Sequence, residues 1–397
     1  MKTPGSTTRL TVALTGAFLS VTTLAATKDP ADWWPNAEGM RSMADYFPSA
    51  TVETGEPVHV LQWGEPLPQT GPGGVDLDAF NRDNLSTGMI VLHKGRIVYE
   101  NYWQGADEES LFSSFSMAKS VTSTLIGIAE AEGHIRSLDD PIVRYVPELA
   151  ETAYRNVTIE QALQMSSGVR YEASVTLESD EILLTCVMLP PGPVFADCES
   201  ARSSFGDVKG FLASLTEAAA APGTTFNYST SESQVLGWVL ENATGQSAAE
   251  YLSEKIWKPL GMEADAAWLL DPEGTTLTGA GLNARLRDYA RFGLLLANDG
   301  VHEGKRLLPE GWIERATVPS QPHLQHIDPV VGYQYQWWTL ANGAFEAQGT
   351  NGQFLRVDPE HELVIVKTSA WQGAWDMPKA LQFLATIDSI VAALDGR

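Results

Sequence analysis

The apolar positions change period along the chain. Gly88-Met-Ile-Val-Leu-His93 and Ile97-Val-Tyr-Glu-Asn-Tyr-Trp103 read as two strands, with Lys94-Gly95-Arg96 as the hairpin turn between them. Val121, Leu125, Ile126, Ile128 and Ala129 then recur at roughly helical spacing, which predicts a buried helix after Ser116. Helical patterning dominates residues 134 to 285. It covers Val157–Met165 with a cap at Thr158, Phe211–Thr216, Ser231–Glu241 and Ala248–Trp257. Arg285 to Asn298 forms one more amphipathic helix, ended by Asp299-Gly300. The C-terminal part returns to strands at Tyr335–Leu340, Gly352–Val357 and Glu362–Thr368, with a turn at Asp358-Pro359. A terminal helix spans Pro378 to Leu394. Residues 27 to 80 hold many prolines, glycines and tryptophans with little periodicity, and read as an extended arm.

Strands at both ends with helices between them predict an α+β fold. One antiparallel sheet draws on both ends of the chain, and a helical part is inserted between them. The expected division is a sheet domain of residues 27–133 and 286–397 and a mostly helical domain of residues 134–285. Residues 1–26 read as a signal peptide. Lys2 and Arg9 precede an uncharged stretch, Leu10 to Ala26, that ends in small residues. That stretch has 17 residues, five of them serine or threonine, which is short and polar for a membrane anchor. A periplasmic or secreted protein with no stable membrane span after cleavage is expected.

A chain of 397 residues that is 44% apolar can bury a large core. Its formal charge of −24 leaves no basic footprint, which argues against nucleic-acid binding. Cys186 and Cys198, the two cysteines, have eleven residues between them. In an exported protein they form either a disulfide or two buried thiols.

Ser116-Met-Ala-Lys119 carries the first candidate chemistry. Serine and lysine three positions apart share a helix face. An amine that loses its proton turns the serine hydroxyl into a nucleophile. On a core helix, desolvation lowers the lysine pKa and favours that role. Tyr228, in Phe226-Asn-Tyr-Ser-Thr-Ser231, is a proton shuttle if a cation lowers its pKa, and an aromatic packing residue otherwise. Ala347-Gln-Gly-Thr-Asn-Gly-Gln353 either lets a substrate approach the backbone or is an ordinary turn. No G-x-S-x-G elbow, phosphate loop or compact metal-ligand set is found, so no cofactor and no metal is expected. His323 and His326 are assigned to a surface loop.

Together these motifs resemble the penicillin-recognising serine hydrolases, the class C β-lactamases, DD-peptidases and related esterases. The nearest branch is that of the 6-aminohexanoate-dimer hydrolases and their esterase relatives. The resemblance runs from about Gly88 to the C-terminus. It rests on Ser114-Phe-Ser-Met-Ala-Lys-Ser120, Leu138-Asp-Asp-Pro-Ile-Val-Arg-Tyr-Val-Pro-Glu-Leu149, Gln164-Met-Ser-Ser-Gly-Val169, Phe226-Asn-Tyr-Ser229, Tyr335-Gln-Trp-Trp338 and Asn351-Gly-Gln353 with Asp358-Pro359 and Val364-Ile-Val-Lys367. It implies a β-lactamase-like fold with Ser116 as nucleophile, Lys119 as its base partner and Tyr228 as proton shuttle. The backbone N–H groups of Ser116 and Thr350 match the oxyanion donors. Gly349, Asn351, Tyr171 and Trp338 are candidate substrate contacts, and Trp337, Trp371 and Trp375 either line the cleft or pack.

Two departures bear on substrate. The family's third-motif lysine is replaced in Ala347-Gln348-Gly349, and the amide of its second motif is replaced in Tyr228-Ser229-Thr230. Both point away from β-lactams and cell-wall peptides. An exported serine hydrolase acting through an acyl-enzyme on a small ester or amide is expected. The alternatives are a β-lactamase or DD-peptidase, and a non-catalytic binding or sensor protein of the same fold.

Overall fold

The computed structural model describes residues 23–29, 32–33, 37–69, 74–174, 176, 178–189, 198–327 and 331–395. Most of the expected signal peptide, residues 1–22, lies outside them. Thr23–Leu24 lies within them and pairs with Ser49 and Ala50.

Seven antiparallel strands form the main sheet. Across it they run Val331–Gln334, Trp337–Leu340, Phe345–Gly349, Gln353–Asp358, Leu363–Ser369, Ser86–His93 and Arg96–Tyr102. The first hairpin and the end of the chain therefore meet in one sheet, with Leu363–Ser369 beside Ser86–His93. The central strands read as unbroken apolar runs because both faces are covered. Met89, Val91, Leu363 and Ile365 face one core, with Phe383, Ile387 and Ile390 of the terminal helix Met377–Asp395. Ile90, Leu92, Val364 and Val366 face the other, with Leu125 of helix Met117–Ala131 and Phe292 of helix Leu286–Ala297. By length and composition the terminal helix is apolar enough to cross a membrane. Here its apolar face packs on the sheet.

Two sequence expectations change. The run Tyr335–Leu340 is not one strand. Tyr335 and Gln336 both have positive φ (37° and 65°) and turn the chain between Val331–Gln334 and Trp337–Leu340. Tertiary bonds hold this turn in place. The Gln336 N–H donates to Leu163 O (2.9 Å), Ser120 Oγ donates to Gln336 O (2.6 Å) and Ser233 Oγ donates to Gln336 Oε1 (2.7 Å). No local residue preference announces a turn built this way.

The second change is an additional sheet. It contains Leu111–Ser113, Leu282–Arg285, Ala266–Leu269, Ser49–Val52 and Thr23–Leu24. Its strands have four residues or fewer, too short to display a period. Two of them fall in the stretch read as mostly helical, and Ser49–Val52 falls in the arm. The helices expected between 134 and 285 form as Ile159–Leu163, Val208–Ser214, Thr230–Thr244 and Ala248–Leu252, the last continued by a π-turn over Ser253–Trp257. Thr158 caps the first in a capping box with Gln161.

Candidate active site

Ser116 stands at the N-cap of helix Met117–Ala131. The turn before it is tight. Phe115 has φ of 44°, and the Ser114 N–H donates to Leu282 O (2.7 Å), which ties the turn to the smaller sheet. The third-motif strand passes very close. A Cβ on Gly349 would lie 2.4 Å from Ser114 O, so a residue without a side chain is needed there. This approach sets Thr350 beside Ser116 on the wall of one cleft. Among the described residues, the Ser116 and Thr350 amides make no protein hydrogen bond. Both remain available to an oxyanion.

Lys119 is buried one turn along the helix. Its Nζ has three partners: Ser116 Oγ at 3.0 Å, Thr230 Oγ1 at 3.1 Å and Gly279 O at 2.7 Å. Two of these can only accept. Gly279 offers a carbonyl, and the Thr230 proton is already donated to Glu181 Oε1 at 2.8 Å. An uncharged amine has two N–H groups and one lone pair. The two fixed acceptors take both N–H groups and leave the lone pair for the Ser116 hydroxyl proton. Burial lowers the Lys119 pKa from 10.5 to about 8, against the opposing charge of Glu181. The amine form is therefore accessible near neutral pH.

Tyr228 completes the group. Its ring centroid lies 5.3 Å from Lys119 Nζ, and Ser116 is among the groups that act on its hydroxyl. Trp338 stacks on its ring with centroids 5.7 Å apart. Burial raises the phenol pKa, Glu181 adds to the rise, and the Ser116 contact only partly offsets it. The condition set for the shuttle role, a cation lowering this pKa, is therefore not met. Tyr228 stays protonated at neutral pH, which suits it to give a proton and leaves Lys119 to take one. The Gln164–Val169 motif supports it from behind, with the Asn227 N–H donating to Met165 O (2.8 Å).

The cleft above these groups has a volume of about 500 Å³ and is mostly apolar, with Met43, Ile182, Met188, Leu277 and Trp375 in its walls. Of the residues named from sequence, Asn351 borders it, but its side-chain amide is spent on the carbonyls of Trp371 and Gly373 (2.9 and 3.2 Å). Tyr171 lies behind the wall and donates to Glu181 Oε2 (2.7 Å). Gly349 serves the close approach described above. Trp337 and Trp371 are fully buried, and Trp375 stands exposed at the cleft. Cys186 and Cys198 are disulfide-bonded, with Cα atoms 5.0 Å apart.

Sequence reasoning missed Glu181 and Trp33, both in the cleft wall. Ser179-Asp-Glu181 looks like an ordinary cap followed by first-turn acids, and Ser179 does cap helix Asp180–Met188. The available signal was Thr230. A threonine in place of an amide has one proton to give and needs an acceptor.

Glu181 acts on Lys119 through Thr230 and through its charge. Its charge favours the ammonium form, so Glu181→Gln is expected to lower the Lys119 pKa further. The ascending limb of the kcat/KM–pH profile then moves to lower pH. An unmoved limb, whatever the change in rate, would assign Glu181 a packing role only.

Residues 77–387 match the family described as Beta-lactamase. The chain belongs to the β-lactamase family. It is a serine hydrolase of this family by that match and by its relatives. It is 27% identical to the 6-aminohexanoate-dimer hydrolase of Paenarthrobacter ureafaciens over 360 residues, which covers 87% of this chain and 89% of that one. It is 29% identical over 248 residues to Esterase EstB of Burkholderia gladioli, covering 58% of this chain and 59% of that one. A solved Bacillus anthracis structure, provisionally described as a 6-aminohexanoate-dimer hydrolase, superposes with a TM-score of 0.79. It is 26% identical, and the match covers 94% of this chain and 97% of that one.

Proposed function

We propose that this family member is an exported hydrolase that cleaves small esters or amides through an acyl-enzyme on Ser116. One observation carries the reading. Lys119 is buried, its two donor directions are taken by Thr230 and Gly279, and its third points at Ser116 Oγ. Ser116 Oγ attacks the carbonyl carbon while its proton passes to Lys119 Nζ. The Ser116 and Thr350 amides hold the oxyanion. The intermediate collapses as Tyr228 protonates the leaving alkoxide or amine, and the Lys119 ammonium restores the Tyr228 proton. Water then attacks the acyl carbon and gives up a proton to Lys119. The bond from the acyl carbon to Ser116 Oγ breaks, the Lys119 ammonium returns the proton to Ser116 Oγ, and the carboxylic acid is released.

The cleft supports a substrate without a carboxylate at the reacting end. Lys119 is the only cation among the described residues of its lining, and Glu181 faces the same space. A carboxylate entering there loses water, meets no free cation and is repelled by Glu181. A p-nitrophenyl ester, a linear amide and nitrocefin test this together. The kcat/KM for p-nitrophenyl butyrate is expected to exceed that for nitrocefin by roughly tenfold or more, equal to about 1.4 kcal/mol of transition-state energy. The reverse order would favour a β-lactamase, and no turnover with any of the three a binding protein. The Cys186–Cys198 bond supports the exported part of the reading, because such bonds persist in oxidising compartments.

A further inference from the structure

His59, His302 and Glu303 meet on the surface, and none of them lines the catalytic cleft. His59 belongs to the N-terminal arm. Its backbone is fixed at both polar groups: the N–H donates to Gly261 O (2.8 Å), and the carbonyl accepts from Arg291 Nε (2.8 Å). His302 and Glu303 belong to a hairpin that follows helix Leu286–Ala297, with strands Val301–His302 and Lys305–Arg306. The hairpin turns at Glu303 and Gly304, both with positive φ (47° and 78°). A two-residue turn of this kind favours asparagine, aspartate or glycine at its first position. A glutamate occupies it here, and its carboxylate reaches back to the arm.

The donor atoms are close. His59 Nδ1 and Glu303 Oε1 are 3.2 Å apart, and the ligand atoms of all three residues lie within 4.8 Å of one another. The two imidazoles meet edge to face with centroids 4.7 Å apart. Zinc–nitrogen and zinc–oxygen bonds of about 2.1 Å in a tetrahedron put neighbouring donors about 3.4 Å apart. The His59–Glu303 pair already has that spacing. Only His302 needs to move inward, and the hairpin tip is open, with no atom within 4 Å of a Cβ placed on Gly304. Two imidazoles and one carboxylate suit zinc or a neighbouring late first-row divalent ion, and suit magnesium or calcium poorly.

We propose that His59, His302 and Glu303 form a binding site for a divalent transition-metal ion, with zinc as the reference ion. The ion joins the N-terminal arm to the hairpin and plays no part in acyl transfer. A fourth position is left to water.

The test uses the full chain after dialysis against a chelator. Zinc chloride is titrated against it by calorimetry and by competition with a chromophoric chelator. One zinc per chain is expected, with no comparable binding of magnesium. At a hundredfold excess over Kd the melting temperature is expected to rise by about 3 °C or more. His59→Ala and His302→Ala are each expected to weaken binding at least tenfold and to abolish the melting shift. Their circular dichroism and esterase activity should stay as in the parent. His323→Ala is the control for histidine loss elsewhere. Absence of zinc binding to the parent at 100-fold the protein concentration would overturn the site. So would zinc binding that both His59→Ala and His302→Ala retain in full.

Discussion

Ser116→Ala is expected to lower kcat by roughly four to six orders of magnitude, the range seen when a serine hydrolase loses its nucleophile. The substitution removes one oxygen and creates little empty space. Ser116 occupies the N-cap of its helix but its side chain makes no capping bond, so the usual cost of losing a cap does not arise. The strained Phe115 turn and the Gly349 contact involve backbone only and remain. Circular dichroism and melting temperature should therefore match the parent. A fluorophosphonate probe should add its mass to the parent and leave the variant unlabelled. Turnover near the parent rate by a folded Ser116→Ala protein would remove Ser116 from the chemistry.

What could be read from the sequence depended on how locally each feature is encoded. Met117–Ala131 follows from Val121, Leu125, Ile126 and Ile128, whose spacing is a property of the helix itself. The hairpin at Lys94-Gly95 is local too, with φ of 50° and 72° at its two residues. The joining of Leu363–Ser369 to Ser86–His93 was legible only as a class of fold, from strands at both ends. Tyr335-Gln336 was not legible at all. Its turn is held by Leu163, Ser120 and Ser233, which lie far away in sequence. The site divides in the same way. Ser116 and Lys119 lie one helical turn apart and could be paired without a structure. Glu181 reaches Lys119 through Thr230, across three separate segments. Only the folded chain brings these together. Even the direction of the Tyr228 shift required its surroundings, because the proximity of a lysine argued for a lowered pKa while burial raises it.

Lys119 and Tyr228 are expected to behave as one unit. In the mechanism we propose, Lys119 takes the proton of Ser116, Tyr228 delivers its own to the leaving group, and the Lys119 ammonium resets Tyr228. Lys119→Ala leaves Ser116 without a base and removes the partner that reprotonates the phenol. It also strands the Gly279 carbonyl and the Thr230 hydroxyl, both of which lose their donor. Stability must therefore be measured beside activity for that variant. Tyr228→Phe keeps the ring and its stacking on Trp338, so its fold should be intact. On a linear amide, both single variants are expected to lose at least a hundredfold in kcat, within the usual range for a general acid or base. The double variant should be little slower than the worse single one, because a broken relay cannot be broken again. Two independent contributors would instead multiply their losses. Single-turnover acylation separates the steps: Lys119→Ala should stop serine attack outright. With a p-nitrophenyl ester, whose leaving group needs no proton, Tyr228→Phe should lose much less in acylation than with a linear amide. Equal losses on the two substrates would remove Tyr228 from leaving-group protonation. Parental rates on both would make it a packing residue.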